Sequence, residues 1–134
     1  MTQTSAAPRP RILVVDDEPP MCTLLERVLS EAGYDAVSAT SGPDAIELMK
    51  TRGPFALVVA DVMMPGMTGD ELVMQLRRAE PDLKILYLTG YVDRLFEKKE
   101  HLWEDEAFLE KPTKPEGVLE AVSLLLSGRI SPAA

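Results

Sequence analysis

The sequence predicts an α/β domain: a five-stranded parallel sheet wound with helices on both faces. Two observations predict it. Short apolar runs rich in branched residues alternate five times with stretches whose apolar residues recur at helical spacing. The connections between them are short, which favours parallel strands joined by right-handed helical crossovers.

The first strand is Ile12-Leu13-Val14-Val15, a continuous branched run of the kind that is covered on both faces. Met21, Leu24, Leu25, Val28, Leu29 and Ala32 then fall at helical spacing, and Gly33 closes that helix. A short strand is expected over 35–39. Ser41 and Asp44 suggest a capping box for a helix through Lys50. The third strand spans 56–60, and Thr68 with Glu71 offers a second capping box ahead of Leu72 and Leu76. Strands four and five are expected over 85–88 and 107–109. Between them Val92, Leu95, Phe96, Leu102 and Trp103 suggest a fourth helix, although residues 97–100 interrupt its apolar face. Pro115 suits the first turn of a last helix that places Leu119, Val122 and Leu126 on one face. Residues 1–10 read as a flexible lead-in, 11–127 as one domain and 128–134 as a short tail.

Composition excludes several classes. Of 134 residues, 46% are apolar and 27% charged, the balance of a globular domain rather than a disordered chain. No apolar run approaches the ~18 residues that span a bilayer, and residues 1–11 lack the apolar stretch of a secretion signal. A cytoplasmic location and no membrane partner are therefore expected. The single Cys22 has no partner for an internal disulfide. The net charge of −8 argues against nucleic acid as a direct partner.

In a parallel sheet of this kind the functional cleft lies at the carboxyl ends of the strands. Strand one ends in Asp16-Asp17-Glu18, strand three in Asp61, strand four in Thr89 and strand five in Lys111. Each is the first polar, chemically capable residue after its apolar run. A lone Asp after a strand is commonly a turn former or a cap, but Asp16, Asp17, Asp61, Thr89 and Lys111, in this order, are expected to converge on one pocket. Three carboxylates held together repel, and a hard divalent cation relieves them. Mg²⁺ takes one or two carboxylates plus water and phosphate, which matches the inventory. Position assigns Asp16 and Asp17 to the metal and Asp61 to nucleophilic attack on phosphorus, giving an acyl phosphate. Lys111 then pairs with a phosphoryl oxygen, and Thr89 donates a hydrogen bond to another.

These segments resemble the receiver domain family of two-component response regulators. The resemblance covers residues 11 to 127 and rests on Val14-Val15-Asp16-Asp17-Glu18, on 61–69 (Asp-Val-Met-Met-Pro-Gly-Met-Thr-Gly), on Leu88-Thr89-Gly90-Tyr91 and on Lys111-Pro112. It implies a flavodoxin-like (βα)5 sheet with strand order 2-1-3-4-5. It implies phosphorylation of Asp61, with Mg²⁺ held by Asp16, Asp17, Asp61 and the backbone carbonyl of Met63. Thr89 and Lys111 become switch and phosphate-binding residues, Phe108 an aromatic that rotates inward, and Lys111-Pro112 a cis peptide. The implied donor is a sensor histidine kinase or a histidine phosphotransfer protein. The implied output is a protein partner that docks on the fourth helix, fifth strand and last helix. Such a domain is no enzyme beyond catalysing its own phosphorylation and dephosphorylation.

Thr113-Lys114-Pro115 departs from the aromatic or aliphatic residue that often follows Lys-Pro in the family. Met63 and Tyr91 are expected to flank the site with apolar bulk that hinders an attacking water. His101 reads as part of a solvated face, Cys22 as a small buried side chain, and Phe96 and Trp103 as packing or partner contact. Phosphorelay to a second histidine stays open. An aspartyl-phosphate phosphatase fits poorly, because it wants an Asp two residues after the nucleophile and position 63 is Met. A flavin carrier fits poorly because residues 16–20 would repel a phosphate.

Overall fold

A computed structural model describes residues 9–89, 106–111 and 114–127. Five strands form one sheet: β1 (Arg11–Val15), β2 (Asp35–Ala39), β3 (Leu57–Asp61), β4 (Lys84–Thr89) and β5 (Glu106–Glu110). All pairings are parallel and the order is β2-β1-β3-β4-β5, as the resemblance implies. Four helices are described: α1 (Pro19–Glu31), α2 (Gly42–Arg52), α3 (Gly69–Ala79) and α4 (Pro115–Ser127). The helix expected over 92–103 lies outside the described residues, as do Tyr91, Phe96, His101 and Trp103.

Alternation along the strands builds two cores, one on each face of the sheet. Leu13, Val15, Val58, Ala60, Ile85 and Tyr87 face α2 and α3. Ile12, Val14, Leu57, Val59, Leu86 and Leu88 face α1 and α4. Each fully buried Leu, Ile or Val contributes on the order of 2 kcal/mol, so the central strands β1, β3 and β4 are the rigid frame that carries the site.

Helix ends explain why the turns fall where they do. Pro19 and Pro20 open α1 at positions where a missing N–H costs no hydrogen bond. Gly33, at φ 100°, lets the chain reverse, with its N–H on Ser30 O and the Tyr34 N–H on Leu29 O. The capping box of Thr68 and Glu71 is complete in both directions. That of Ser41 is half formed: its side chain accepts from Asp44 N, but an Asp side chain is a methylene too short to return the bond.

Other expectations shift by a residue or two. Helix α2 continues to Arg52, β3 takes in Asp61, and β4 and β5 each extend at both ends. In α1, Cys22 turns inward with Leu25 and Leu29, while Leu24 stays 47% exposed. The buried stripe of α4 is Val118, Val122 and Leu125, with Leu119 and Leu126 half-buried at its margins. Among the described residues no helix is long and apolar enough to cross a membrane.

Candidate metal and phosphoacceptor site

The strand ends converge as the alternation requires. Asp16 is the first residue past β1, Asp61 the last of β3 and Thr89 the last of β4, while Lys111 directly follows β5. Asp16, Asp61 and Thr89 are buried. One carboxylate oxygen from each of Asp16, Asp17 and Asp61 lies within 4.8 Å of the others, and Asp17 is the most exposed of the three. Lys111 Nζ reaches across from β5 to lie 3.0 Å from Asp16 Oδ2 and 3.5 Å from Asp61 Oδ2.

Backbone bonds hold these groups in place. Asp16 N–H donates to Ala39 O (3.2 Å), and Asp16 Oδ1 accepts from Glu18 N (2.9 Å). Val62 N–H donates to Leu88 O, and Lys111 N–H donates to Thr89 O at 2.8 Å, so both ladders continue past the formal strand ends. Asp61 Oδ1 accepts from Met63 N at 3.1 Å. The loop then turns at Gly66, whose φ of 84° suits glycine. At Gly69 an added Cβ would fall 2.5 Å from Asp61 O, so the start of α3 presses directly on the backbone of the candidate nucleophile.

Charge in the pocket is unbalanced in an informative way. Burial pushes the Asp61 carboxyl up to about 6; Lys111 pulls it back, Asp16 raises it further and the Met63 N–H lowers it. Burial alone would lower the Lys111 ammonium, but the carboxylates of Asp16 and Asp61 outweigh it and its pKa is raised. The donor set fits a hard cation: three carboxylates close enough to share one ion, all oxygen, with no imidazole or thiolate among them.

The structure therefore brings together Asp16, Asp17, Asp61 and Lys111, with Thr89 held beside Lys111 through its carbonyl. The Met63 side chain is half-buried against the α2–α3 core. Phe108 is in register with Tyr87 and packs on that same core. The Lys111-Pro112 peptide lies outside the described residues; the cis peptide recorded among those described is Gly53-Pro54. Cys22 is buried as expected from the sequence, but its contact with the Asp16 carbonyl, and that of Gly69 with the Asp61 backbone, were not foreseen.

Residues 12–123 match the response regulator receiver domain family. The chain belongs to it. This receiver domain is 33% identical over 102 residues to the response regulator receiver protein CpdR of Brucella abortus, covering 76% of this chain and 84% of that protein. It is 38% identical over 118 residues to the alkaline phosphatase synthesis transcriptional regulatory protein PhoP of Bacillus subtilis, covering 87% of this chain but 48% of PhoP. For another relative the share spanned falls to 11%. Among solved structures it resembles the response regulator TrrA of Thermotoga maritima in complex with Mg²⁺ and BeF, with a TM-score of 0.75 and 34% identity, covering 87% of this chain and 99% of that one. A receiver domain of two-component signalling is thus the frame in which the pocket is to be read.

Proposed function

We propose that this receiver domain accepts a phosphoryl group on Asp61 from a sensor histidine kinase or a histidine phosphotransfer protein. One observation carries the reading: three carboxylates lie within 4.8 Å of one another, with the Lys111 ammonium set between Asp16 and Asp61. Its similarity to a regulator solved with Mg²⁺ and BeF supports the same chemistry.

Asp61 has a carboxyl of pKa about 6, so most molecules carry it ionised at neutral pH. A carboxylate oxygen of Asp61 attacks phosphorus, the bond from phosphorus to the donor's nitrogen breaks, and the donor histidine leaves with that electron pair. Asp16, Asp17, Asp61 and the Met63 carbonyl would hold Mg²⁺, which when bound draws charge off the transferring group. Lys111 needs only to exchange its carboxylate partners for a phosphoryl oxygen. Thr89 donates its hydroxyl to a second oxygen, and Phe108 follows it inward, passing the change to a face built on β5 and α4 that receives a downstream protein. The burial of Asp61 and the half-buried Met63 beside it limit water and lengthen the acyl phosphate's life.

The experiment is intact-mass spectrometry after incubation with acetyl phosphate, with and without Mg²⁺. One added phosphoryl group that requires Mg²⁺ and is lost in Asp61→Asn is the expected result. An adduct that persists in Asp61→Asn would place the nucleophile elsewhere.

A further inference from the structure

The acidic turn between β1 and α1 is held from beneath by a side chain with no role in the chemistry above. Cys22, one turn into α1, is buried at 4% exposure. Its Sγ lies 3.3 Å from Asp16 O and 3.6 Å from Ala39 O. The Ala39 oxygen also accepts the Asp16 N–H, so the thiol and the Asp16 amide share one anchor on β2. Asp16 O belongs to the peptide that joins Asp16 to Asp17. That rigid plane turns only through ψ of Asp16 and φ of Asp17, the torsions that set how the two carboxylates stand to one another. A second tie fixes the same turn from the other side, where Asp16 Oδ1 accepts Glu18 N–H.

We propose that Cys22 is a positioning residue for the cation site, its S–H holding the Asp16–Asp17 peptide so that both carboxylates face the same ion. The inference rests on the reading of Asp16 and Asp17 as Mg²⁺ ligands. Metal sites owe much of their affinity to groups that orient the ligands without touching the ion. A thiol is a weak donor, so the effect belongs at the modest end of that range.

The test is Mg²⁺ titration of the full chain by calorimetry, with urea unfolding of each variant alongside. Cys22→Ala leaves a smaller apolar side chain and removes the donor; roughly tenfold weaker Mg²⁺ binding is expected. Cys22→Ser restores a donor and should bind within about threefold of native on the same scale. Leu25→Ala, in the same helix but facing the core, should lose stability while keeping native Mg²⁺ affinity.

Native affinity in folded Cys22→Ala overturns the inference, as does equal weakening in Leu25→Ala. Cys22→Ser that binds as poorly as Cys22→Ala assigns the effect to volume and overturns it too. A native chain that binds no Mg²⁺ overturns the metal site itself, a result distinct from the others. A second measurement needs no variant: Cys22 is the single thiol of the sequence, so a disulfide reagent reports on it alone. A thiol held under an occupied site is uncovered less often, so saturating Mg²⁺ should slow that reaction; a rate unmoved by Mg²⁺ overturns the proposal.

Discussion

Arg77 Nη1 lies 2.6 Å from Glu106 Oε2, an ion pair between α3 and the first residue of β5 in which the carboxylate side chain is fully buried. Arg77 Nη2 also donates to Leu83 O at 3.0 Å, so one guanidinium ties the turn after α3 to the edge of the sheet. Removing one partner of a buried pair leaves the other's charge poorly compensated. Arg77→Met should cost about 3 kcal/mol in urea unfolding, with most of it recovered in Arg77→Met/Glu106→Met. A single-variant loss within error of zero would show that the pair contributes nothing net.

The acid pocket predicts a pH dependence of stability in the metal-free protein. Asp61 titrates at about 6 in the folded chain, above the ordinary 3.8. The folded state then binds the proton more tightly than the unfolded one, and stability falls as pH rises through the window between those values. Ionisation across the whole window costs on the order of 3 kcal/mol, and the part that falls between pH 4.5 and pH 7.5 is about 2 kcal/mol. Urea unfolding in EDTA at pH 4.5 and pH 7.5 should show native protein losing that amount relative to Asp61→Asn. Mg²⁺ at pH 7.5 should restore it to the native chain.

Lys111 is paired with Asp16 and Asp61, so under the proposed function it would compete with a cation for the same carboxylates. Lys111→Met removes a positive charge from the pocket, so Mg²⁺ affinity should rise by roughly fivefold, about 1 kcal/mol of repulsion at close range. Phosphoryl uptake from acetyl phosphate should slow by about a hundredfold, because a donor aimed at the transferring group is lost. Calorimetry and intact-mass time courses read the two effects separately. Affinity and uptake falling together would contradict this account.

Gly69 carries a steric prediction. With an added Cβ only 2.5 Å from Asp61 O, Gly69→Ala must move either the start of α3 or the end of β3. A loss of about 2 kcal/mol is expected from such overpacking, together with weaker Mg²⁺ binding. Gly33→Ala offers the contrast: open space surrounds Gly33, and only its φ of 100° resists the substitution. It should lose stability and keep Mg²⁺ affinity, as equilibrium unfolding and calorimetry would show.

The central strands were legible because Ile12 to Val15 and Ile85 to Leu88 are continuous branched runs, and their polar terminators named Asp16 and Thr89 at once. Strand ends slipped by a residue where the flanking side chain is polar, as at Lys84 and Glu106, because pairing with a neighbour strand, not apolarity, sets the boundary there. Leu24 left the buried stripe for a related reason, while Cys22 is buried as expected. Helical spacing fixes a stripe but not its rotation, and the close approach of α1 to the Asp16 turn rotates the thiol inward. Arg77 and Glu106 stand 29 residues apart, a separation at which no periodicity links two charges.

The pair of prolines that opens α1 has a consequence for what the pocket admits. A helix start ordinarily presents several amide protons to solvent and so captures oxyanions. Pro19 and Pro20 have no amide proton, and the next two, on Met21 and Cys22, are already bonded to Glu18 O. Helix α1 thus meets the acidic cluster with a mute end. Among the described residues, the first turn of α1 therefore offers an oxyanion no free amide. At this one helix start, two imino acids leave recognition of an anion to side chains and not to the backbone.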